Sequence, residues 1–306
     1  MNKFKNEKEV FKQFPEEWVA PGNAGCPGCG EVLAVRLAMK VLGGNTWAVM
    51  TTGCMAVNYT APGTGTARSP WIHPLFGNAP AIASGLAIAL KQRKLEDKIN
   101  LLVVGGDGAT ADIGFQVLSS AIQRQHRFIY ICLDNQGYMN TGGQSSGTTE
   151  LHSVTKTTPA GSVTIPKRLP EIFLKHSVHY LATANIGYPT DYMEKVERAK
   201  QTNGPSYIHI STPCIPSHGI ESAQMMNIAR KAVTTGYEIL YEMDGGRIAL
   251  SKPSKLYIDP KIRDPLNDYL SSQKRYKKLM SDPKALYELN QHVTKQWEWI
   301  REEVSG

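Results

Sequence analysis

Five cysteines occur in the 306 residues, and four of them stand beside a glycine or proline, residues that let backbone fold around a metal. Cys26 and Cys29 bracket a Cys-Pro-Gly-Cys turn, Cys54 lies in Thr-Gly-Cys-Met, and Cys214 lies in Thr-Pro-Cys-Ile-Pro. Thiolates are soft ligands, so the set suits zinc or an iron–sulfur cluster. The fifth, Cys132, falls within the apolar run Phe-Ile-Tyr-Ile-Cys-Leu and is expected in the core. A second chemical signature lies between Cys54 and Cys214. Gly106-Asp107-Gly108 closes one apolar run, and Asn135 and Gly137 close the next. Glycine lets backbone approach phosphate oxygens, while Asp107, Asn135 and the Gly137 carbonyl offer hard oxygens to an octahedral Mg2+ bridging a diphosphate.

Gly-Asp-Gly followed after about two dozen residues by Asn is the thiamine-diphosphate (TPP) motif. Two plain turns would explain the same residues, but each follows a hydrophobic strand, and open α/β sheets bind ligands at the carboxyl ends of their strands. The cysteines taken alone leave zinc and an iron–sulfur cluster open. Their company decides between them. Oxidative decarboxylation on TPP needs an acceptor that takes electrons one at a time, and zinc has no redox chemistry.

Elements that would position these residues alternate along the chain, which is α/β architecture. Strands are expected over 46–51, 101–105, 128–133, 179–186 and 206–212, several of them nearly continuous apolar runs suited to a buried parallel sheet. Helices are expected between them. One runs over 31–42 with Val32, Val35, Met39 and Leu42 on a face and a Gly43-Gly44 stop; others run over 79–94, 113–125 and 222–235. A helix over 191–203 has Thr190 or Asp191 as its cap and Gly204-Pro205 as its stop. The predicted fold is a TPP diphosphate-binding parallel sheet flanked by helices, with an extended C-terminal tail. We divide the chain into a domain over 1–250, carrying the cysteines, and a tail over 251–306 that ends in a helix over 282–304 and packs on the domain or on a partner. The segment 138–165 is crowded with Gly, Ser and Thr, and a loop that long is usually functional.

Composition excludes other classes. With 41% hydrophobic and 20% charged residues the chain is that of an ordinary globular protein. The charged N-terminus and the longest near-apolar run, 79–90, provide neither a signal peptide nor a membrane span, so a cytoplasmic protein is expected. The net charge of +7 comes without a nucleic-acid motif. A modest basic cluster over 273–279 reads as a solvated helix face, or as a surface that attracts an acidic redox partner or docks a subunit.

At these residues the chain resembles the TPP-binding β-type subunit of the 2-oxoacid:ferredoxin oxidoreductases, on the pyruvate synthase branch. The resemblance covers about 18–242 and is carried by Ala-Pro-Gly-Asn-Ala-Gly-Cys26-Pro-Gly-Cys29-Gly, Thr-Gly-Cys54-Met, Pro70-Trp-Ile-His73, Gly-Gly-Asp107-Gly-Ala-Thr-Ala-Asp112-Ile-Gly and Asp134-Asn-Gln-Gly-Tyr138-Met-Asn140-Thr-Gly-Gly-Gln144-Ser. It implies one 4Fe–4S cluster on Cys26, Cys29, Cys54 and Cys214. It implies Mg2+ on Asp107, Asn135 and Gly137, and a TPP site of Gly106, Asp107, Gly108, Ala109, Asn135, Gly137, Asn140 and Thr141. Asn140, Asp112 and His73 are the candidate catalytic residues within these motifs. The implied activity is oxidative decarboxylation of a 2-oxoacid, with electrons passing through the cluster to external ferredoxin. An α-type subunit would supply the pyrimidine side of TPP, and a ferredoxin-like iron–sulfur subunit would carry further clusters. Coenzyme A is a possible co-substrate, and no nucleic-acid or membrane partner is expected.

Three departures bear on substrate. Gly77 replaces a glutamate common in the family, 150–156 lacks the usual aromatic stretch, and Ser217-His218-Gly219-Ile220 replaces a usual Gly-Trp. His152, Lys156 and His218 would suit a more anionic substrate than pyruvate, such as oxalate, which makes an oxalate oxidoreductase subunit the alternative. A non-redox TPP carboligase component and a zinc-stabilised scaffold stand further off.

Overall fold

The computed structural model describes residues 7–60 and 66–305; the charged stretch 1–6 lies outside them. An eight-stranded sheet runs in the order β2-β1-β3-β4-β6-β5-β7-β8. Its strands are β1 (Thr46–Met50), β2 (Trp71–Ile72), β3 (Asn100–Gly106), β4 (Phe128–Asp134), β5 (Tyr180–Asn185), β6 (Pro205–Ser211), β7 (Tyr241–Asp244) and β8 (Arg247–Leu250). The first six are parallel, and β7 and β8 are added antiparallel at one edge. β4 is buried at every position because it is central and covered on both faces, hence its unbroken apolar run. Cys132 lies there with no exposed surface.

Each of the five strands expected from the sequence is present within a residue or two. The β7–β8 hairpin was not foreseen, although Asp244-Gly245-Gly246 carries its signal. Gly245 and Gly246 both take positive φ, +55° and +81°, as a tight two-residue hairpin turn requires. Helices Gly30–Leu42 and Pro189–Gln201 pack together, the second against β5 and β6, while Ala79–Gln92 and Phe115–Gln123 pair beside β1 and β3. The cap expected at Thr190 or Asp191 is displaced. Pro189 opens that helix, so both residues sit in its first turn and Tyr188 precedes it without a side-chain cap. Asp191 instead pairs with the buried Lys195 one turn later.

Beyond Ser251 the chain folds back on the same core. Helix Pro283–Ser305 buries Ala285, Leu289, Val293, Trp297 and Ile300 at helical spacing. The indole of Trp297 donates to the Gly236 carbonyl at 2.7 Å and lies under the Arg263 guanidinium, 4.0 Å from the ring centre.

Candidate active site

Three segments leaving the carboxyl ends of the neighbouring strands β1, β3 and β4 enclose a cleft of about 300 Å3. All eight residues proposed to touch TPP line it: Gly106 at the end of β3 with Asp107, Gly108 and Ala109 after it, and Asn135, Gly137, Asn140 and Thr141 after β4. At Gly108 a Cβ would come within 2.4 Å of the Tyr138 ring, so only glycine lets these two segments meet. A turn of π-helix, Ala109–Ile113, follows directly, with the Thr110 hydroxyl donating to the Gly106 carbonyl at 2.7 Å.

The polar groups at the cleft floor fit a hard cation. Asp107 is 1% exposed, and burial first, then the charge of Asp134, pushes its pKa well above the usual carboxylate range. Ser146 and Thr148 donate to its Oδ2, Thr148 at 2.9 Å. Asn135 is buried with no hydrogen-bond partner on its Oδ1 among the described residues, while its Nδ2 donates to Glu31. Gly137 accepts one bond from the Met139 amide at 3.0 Å, which leaves a carbonyl lone pair. Among the described residues, a buried carboxylate without a counter-cation beside an unpaired buried amide oxygen is the donor set that Mg2+ would complete.

The four cysteines line a second cleft of about 260 Å3. The Cys26 carbonyl accepts from the Cys29 amide at 3.0 Å, closing the Cys-Pro-Gly-Cys turn. Gly28 has φ +78°, and a Cβ there would lie 3.0 Å from both the Ile215 side chain and the Ser222 carbonyl, so this turn seats against the segment that follows Cys214. Among the described residues no group of three or more His, Cys, Asp or Glu is placed to hold a single metal ion. The four thiols that line this cleft are a soft-ligand set of the kind that takes zinc or an iron–sulfur cluster. Burial first, then Glu31, raises Cys29 to about 11; burial, then Glu31 and the other three thiols, raises Cys54 further. Burial pushes Cys214 up to about 12. Such thiols ionise when a cationic centre is present to hold them.

Glu31, which the sequence reading left as an ordinary helix residue, is a wall of both clefts together with Cys54, Asn135, Met139 and Asn140. Burial raises its pKa to about 7 against the opposing hydrogen bond from Asn135. Its position just after Cys29 at a helix start was the available signal.

Two candidate catalytic residues stand outside the cleft. Asp112 does not line it; its carboxylate accepts from Tyr138 Oη at 2.7 Å, the Gly147 amide at 3.0 Å and Lys167 Nζ at 2.9 Å. These bonds outweigh burial and hold its pKa below the usual value. It braces the loop over 138–165. His73 is exposed, stacks on Trp71 and meets the cleft-lining Thr52, whose hydroxyl is 2.8 Å from its Nε2. Asn140 does line the cleft, at its open rim.

Of the three basic residues expected to suit an anionic substrate, His152 and His218 are engaged elsewhere in the fold. His152 Nε2 pairs with Glu288 of the last helix at 2.9 Å. His218 is buried, its Nε2 donating to the Asn135 carbonyl at 2.9 Å, and burial with the Arg275 charge lowers its pKa well below 6.5. Lys156 is exposed, lies against Gly142 and lines neither cleft. Gly77 has φ +84°, and a Cβ would press within 3.3 Å of Gly114, so a local backbone requirement accounts for the missing carboxylate.

Residues 48–210 match the family of the thiamine pyrophosphate enzyme C-terminal TPP binding domain. Pyruvate synthase subunit PorB of Methanothermobacter thermautotrophicus is 47% identical over 276 residues, 88% of this chain and 93% of that protein. Ketoisovalerate oxidoreductase subunit VorB of Pyrococcus furiosus is 32% identical, over 98% of each chain. The solved 2-oxoglutarate:ferredoxin oxidoreductase of Magnetococcus marinus superposes with a TM-score of 0.57 at 25% identity, covering 70% of this chain and 79% of that one.

Proposed function

The chain belongs to the 2-oxoacid:ferredoxin oxidoreductases, as a TPP-binding β-type subunit on the pyruvate synthase branch, and from that premise we propose that it carries half of a site for oxidative decarboxylation of pyruvate. The observation that carries this reading is the wall shared by the two clefts: Glu31, Cys54, Asn135, Met139 and Asn140 border both, so electrons leaving a substrate in one have a short way to a cluster in the other. Bound TPP supplies covalent decarboxylation chemistry, and an iron–sulfur cluster supplies one-electron acceptance.

The chain's own residues set the stage. Asp107, Asn135 and Gly137 would hold Mg2+ against the diphosphate. Glu31 accepts from the Asn135 Nδ2 and so leaves the Oδ1 as the free end of that amide among the described residues, and His218 anchors the backbone of the same residue. Cys26, Cys29, Cys54 and Cys214 would hold the cluster. Asn140 and Thr141 stand at the rim, toward the incoming substrate.

The rim is also apolar and uncovered, which supports a partner subunit. Leu75 is 77% exposed and Phe76 43%, and helix Ala79–Gln92 presents Ile82, Gly85, Ile88 and Ala89 outward. A helix apolar all round is normally covered. We place an α-type subunit there, bringing the pyrimidine side of TPP. Among the described residues no helix is long and apolar enough to cross a membrane, and we read the complex as cytoplasmic.

With His152 and His218 engaged in structural contacts and pyruvate synthase subunits among the relatives, we take pyruvate as the substrate, with coenzyme A as acyl acceptor. The test is anaerobic turnover of the purified complex with pyruvate, 2-oxoglutarate and a branched 2-oxoacid, with and without coenzyme A, together with metal analysis. Fastest turnover of pyruvate, dependent on coenzyme A, in an iron-containing complex is expected. A complex with zinc and no iron would refute the redox reading.

A further inference from the structure

Helix Cys54–Thr60 carries one of the four cleft cysteines at its start and Asn58 one turn later. Side chains four apart share a helix face, and each leans back toward the amino end, so Asn58 reaches toward Cys54. It lines the cysteine cleft and is 5% exposed. Its amide also meets the approach to Cys26: a Cβ on Gly25 would lie 3.3 Å from Asn58 Nδ2. The Gly25 amide is itself held by Asn23 Oδ1 at 2.9 Å. One buried amide therefore stands between two of the segments that carry cysteines. Its acceptor among the described residues is Met55 Sδ, at 3.9 Å. A thioether is a weak acceptor, and a buried N–H normally finds a stronger one. The other donors around the cleft are engaged or lie at its edge. Asn135 gives its Nδ2 to Glu31, Thr212 gives its hydroxyl to the Asp134 carbonyl, and Asn140 is exposed. No Lys, Arg or His lines the cleft among the described residues.

We propose that Asn58 is a positioning residue for the cluster: its Nδ2–H donates to a sulfur on the Cys54 side and raises the potential at which the bound centre takes an electron. The proposal rests on the iron–sulfur reading just argued. A reduced centre carries one more negative charge than an oxidised one, so a hydrogen bond to its sulfur stabilises the reduced form more. Burial strengthens that preference, because no water is at hand to replace the donor. In a cleft that holds a carboxylate and no cationic side chain, a neutral amide is the means this chain has of favouring the electron's arrival.

The test uses the purified anaerobic complex, with this cluster identified as the reduced-state EPR signal that Cys214→Ser removes. Pulsed EPR on protein labelled with 15N in its asparagine side chains should show a weak nitrogen coupling to that signal. Asn58→Leu, similar in size but without a donor, should abolish the coupling while keeping its iron. In a redox titration its reduced-to-oxidised ratio at a fixed potential should fall about tenfold, which is ~59 mV for a one-electron couple. Asn58→Asp, the same shape with an acceptor in place of the donor, should fall further. A wild-type signal with no such coupling would overturn the assignment, as would an unmoved or raised potential in an iron-loaded Asn58→Leu complex; either would leave Asn58 as packing. Should Asn58→Leu fail to assemble, the wild-type coupling and the Asn58→Asp titration decide by the same criteria. A wild-type complex without iron would instead bring down the redox reading beneath the proposal.

Discussion

The two clefts share a wall yet are built by different means. The diphosphate cleft rests on the ends of three adjacent parallel strands, whose register fixes Thr51, Gly106 and Asn135 before any ligand arrives. In the cysteine cleft, Cys26, Cys29 and Cys214 stand on irregular segments: a turn ahead of helix Gly30–Leu42 and the chain after β6, locked together where Gly28 meets Ile215 and Ser222. A sheet-framed site holds its geometry through backbone hydrogen bonds. A loop-framed site, with thiols that burial drives toward the neutral form, would depend on a bound metal for both charge balance and order. Loss of iron should therefore disturb the second cleft far more than loss of TPP disturbs the first.

The sharpest way to break that contrast is to remove one ligand from each side. Cys214→Ser should lose iron and abolish electron transfer to any acceptor while Mg2+-dependent TPP binding stays within a few-fold of wild type. Cys132→Ala should keep its iron and cost only about 1 kcal/mol as a small buried truncation. Iron analysis of the two variants decides, and the reverse pattern would falsify the ligand assignment. Asp107→Ala should do the opposite, weakening TPP binding by about 3 kcal/mol or more, some hundredfold, with the cluster spectrum intact. Calorimetry that finds normal TPP affinity in a folded Asp107→Ala protein would remove this residue from the site.

Glu31 tests whether the shared wall couples the two clefts. Without its carboxylate the Asn135 amide is free to turn, so Glu31→Ala should weaken TPP binding by about 1–2 kcal/mol, roughly tenfold. Glu31→Gln keeps an acceptor for the Asn135 Nδ2 and should restore affinity to within about threefold. With the Glu31 pKa at about 7, both variants remove a full charge beside the cysteines only above about pH 8, where they should shift the cluster potential by some tens of millivolts, on the order expected for one nearby charge. Failure of Gln to rescue affinity would mean that Glu31 acts through its charge alone.

Much of this was legible in the residues, and what was not has physical causes. The sheet could be read because buried parallel strands need continuous apolar runs, and 101–105 and 128–133 have no competing period. The residues that gather in the first cleft could be read because glycine and hard-oxygen ligands at strand ends leave few alternative uses. Contacts made across the fold were hidden. Nothing local says that His152 will face Glu288 from 136 positions away, or that His218 will be buried under Arg275, and both were read as substrate contacts because histidine in a polar loop usually faces water. Glu31 was missed for the same reason in reverse: a carboxylate in the first turn of a helix is ordinarily solvated, and here two clefts close over it.

Asp112 offers the finest test, since its motif suggests catalysis and its contacts suggest support. Were it to act on substrate, Asp112→Asn would cost orders of magnitude in turnover with TPP affinity unchanged. As a brace, it should instead loosen the Tyr138 and Gly147 contacts and lose the Lys167 pair. The expected cost is about 1–2 kcal/mol in stability, a discounted figure for a partly exposed group, and a few-fold in TPP affinity. Its pH dependence follows from the lowered pKa of the folded state. An unfolded aspartate titrates near ~3.9, so the bonds to the ionised carboxylate contribute their full stability above about pH 4 and lose it as the pH falls through the lower, folded value. The gap in melting temperature between wild type and Asp112→Asn, measured on metal-free protein, should therefore stay constant from pH 8 to about 5 and narrow only below about 4. A gap that persists undiminished into the acid range would assign the loss to packing and not to charge, and would leave the loop over 138–165 held by its glycine and threonine turns instead of by Asp112.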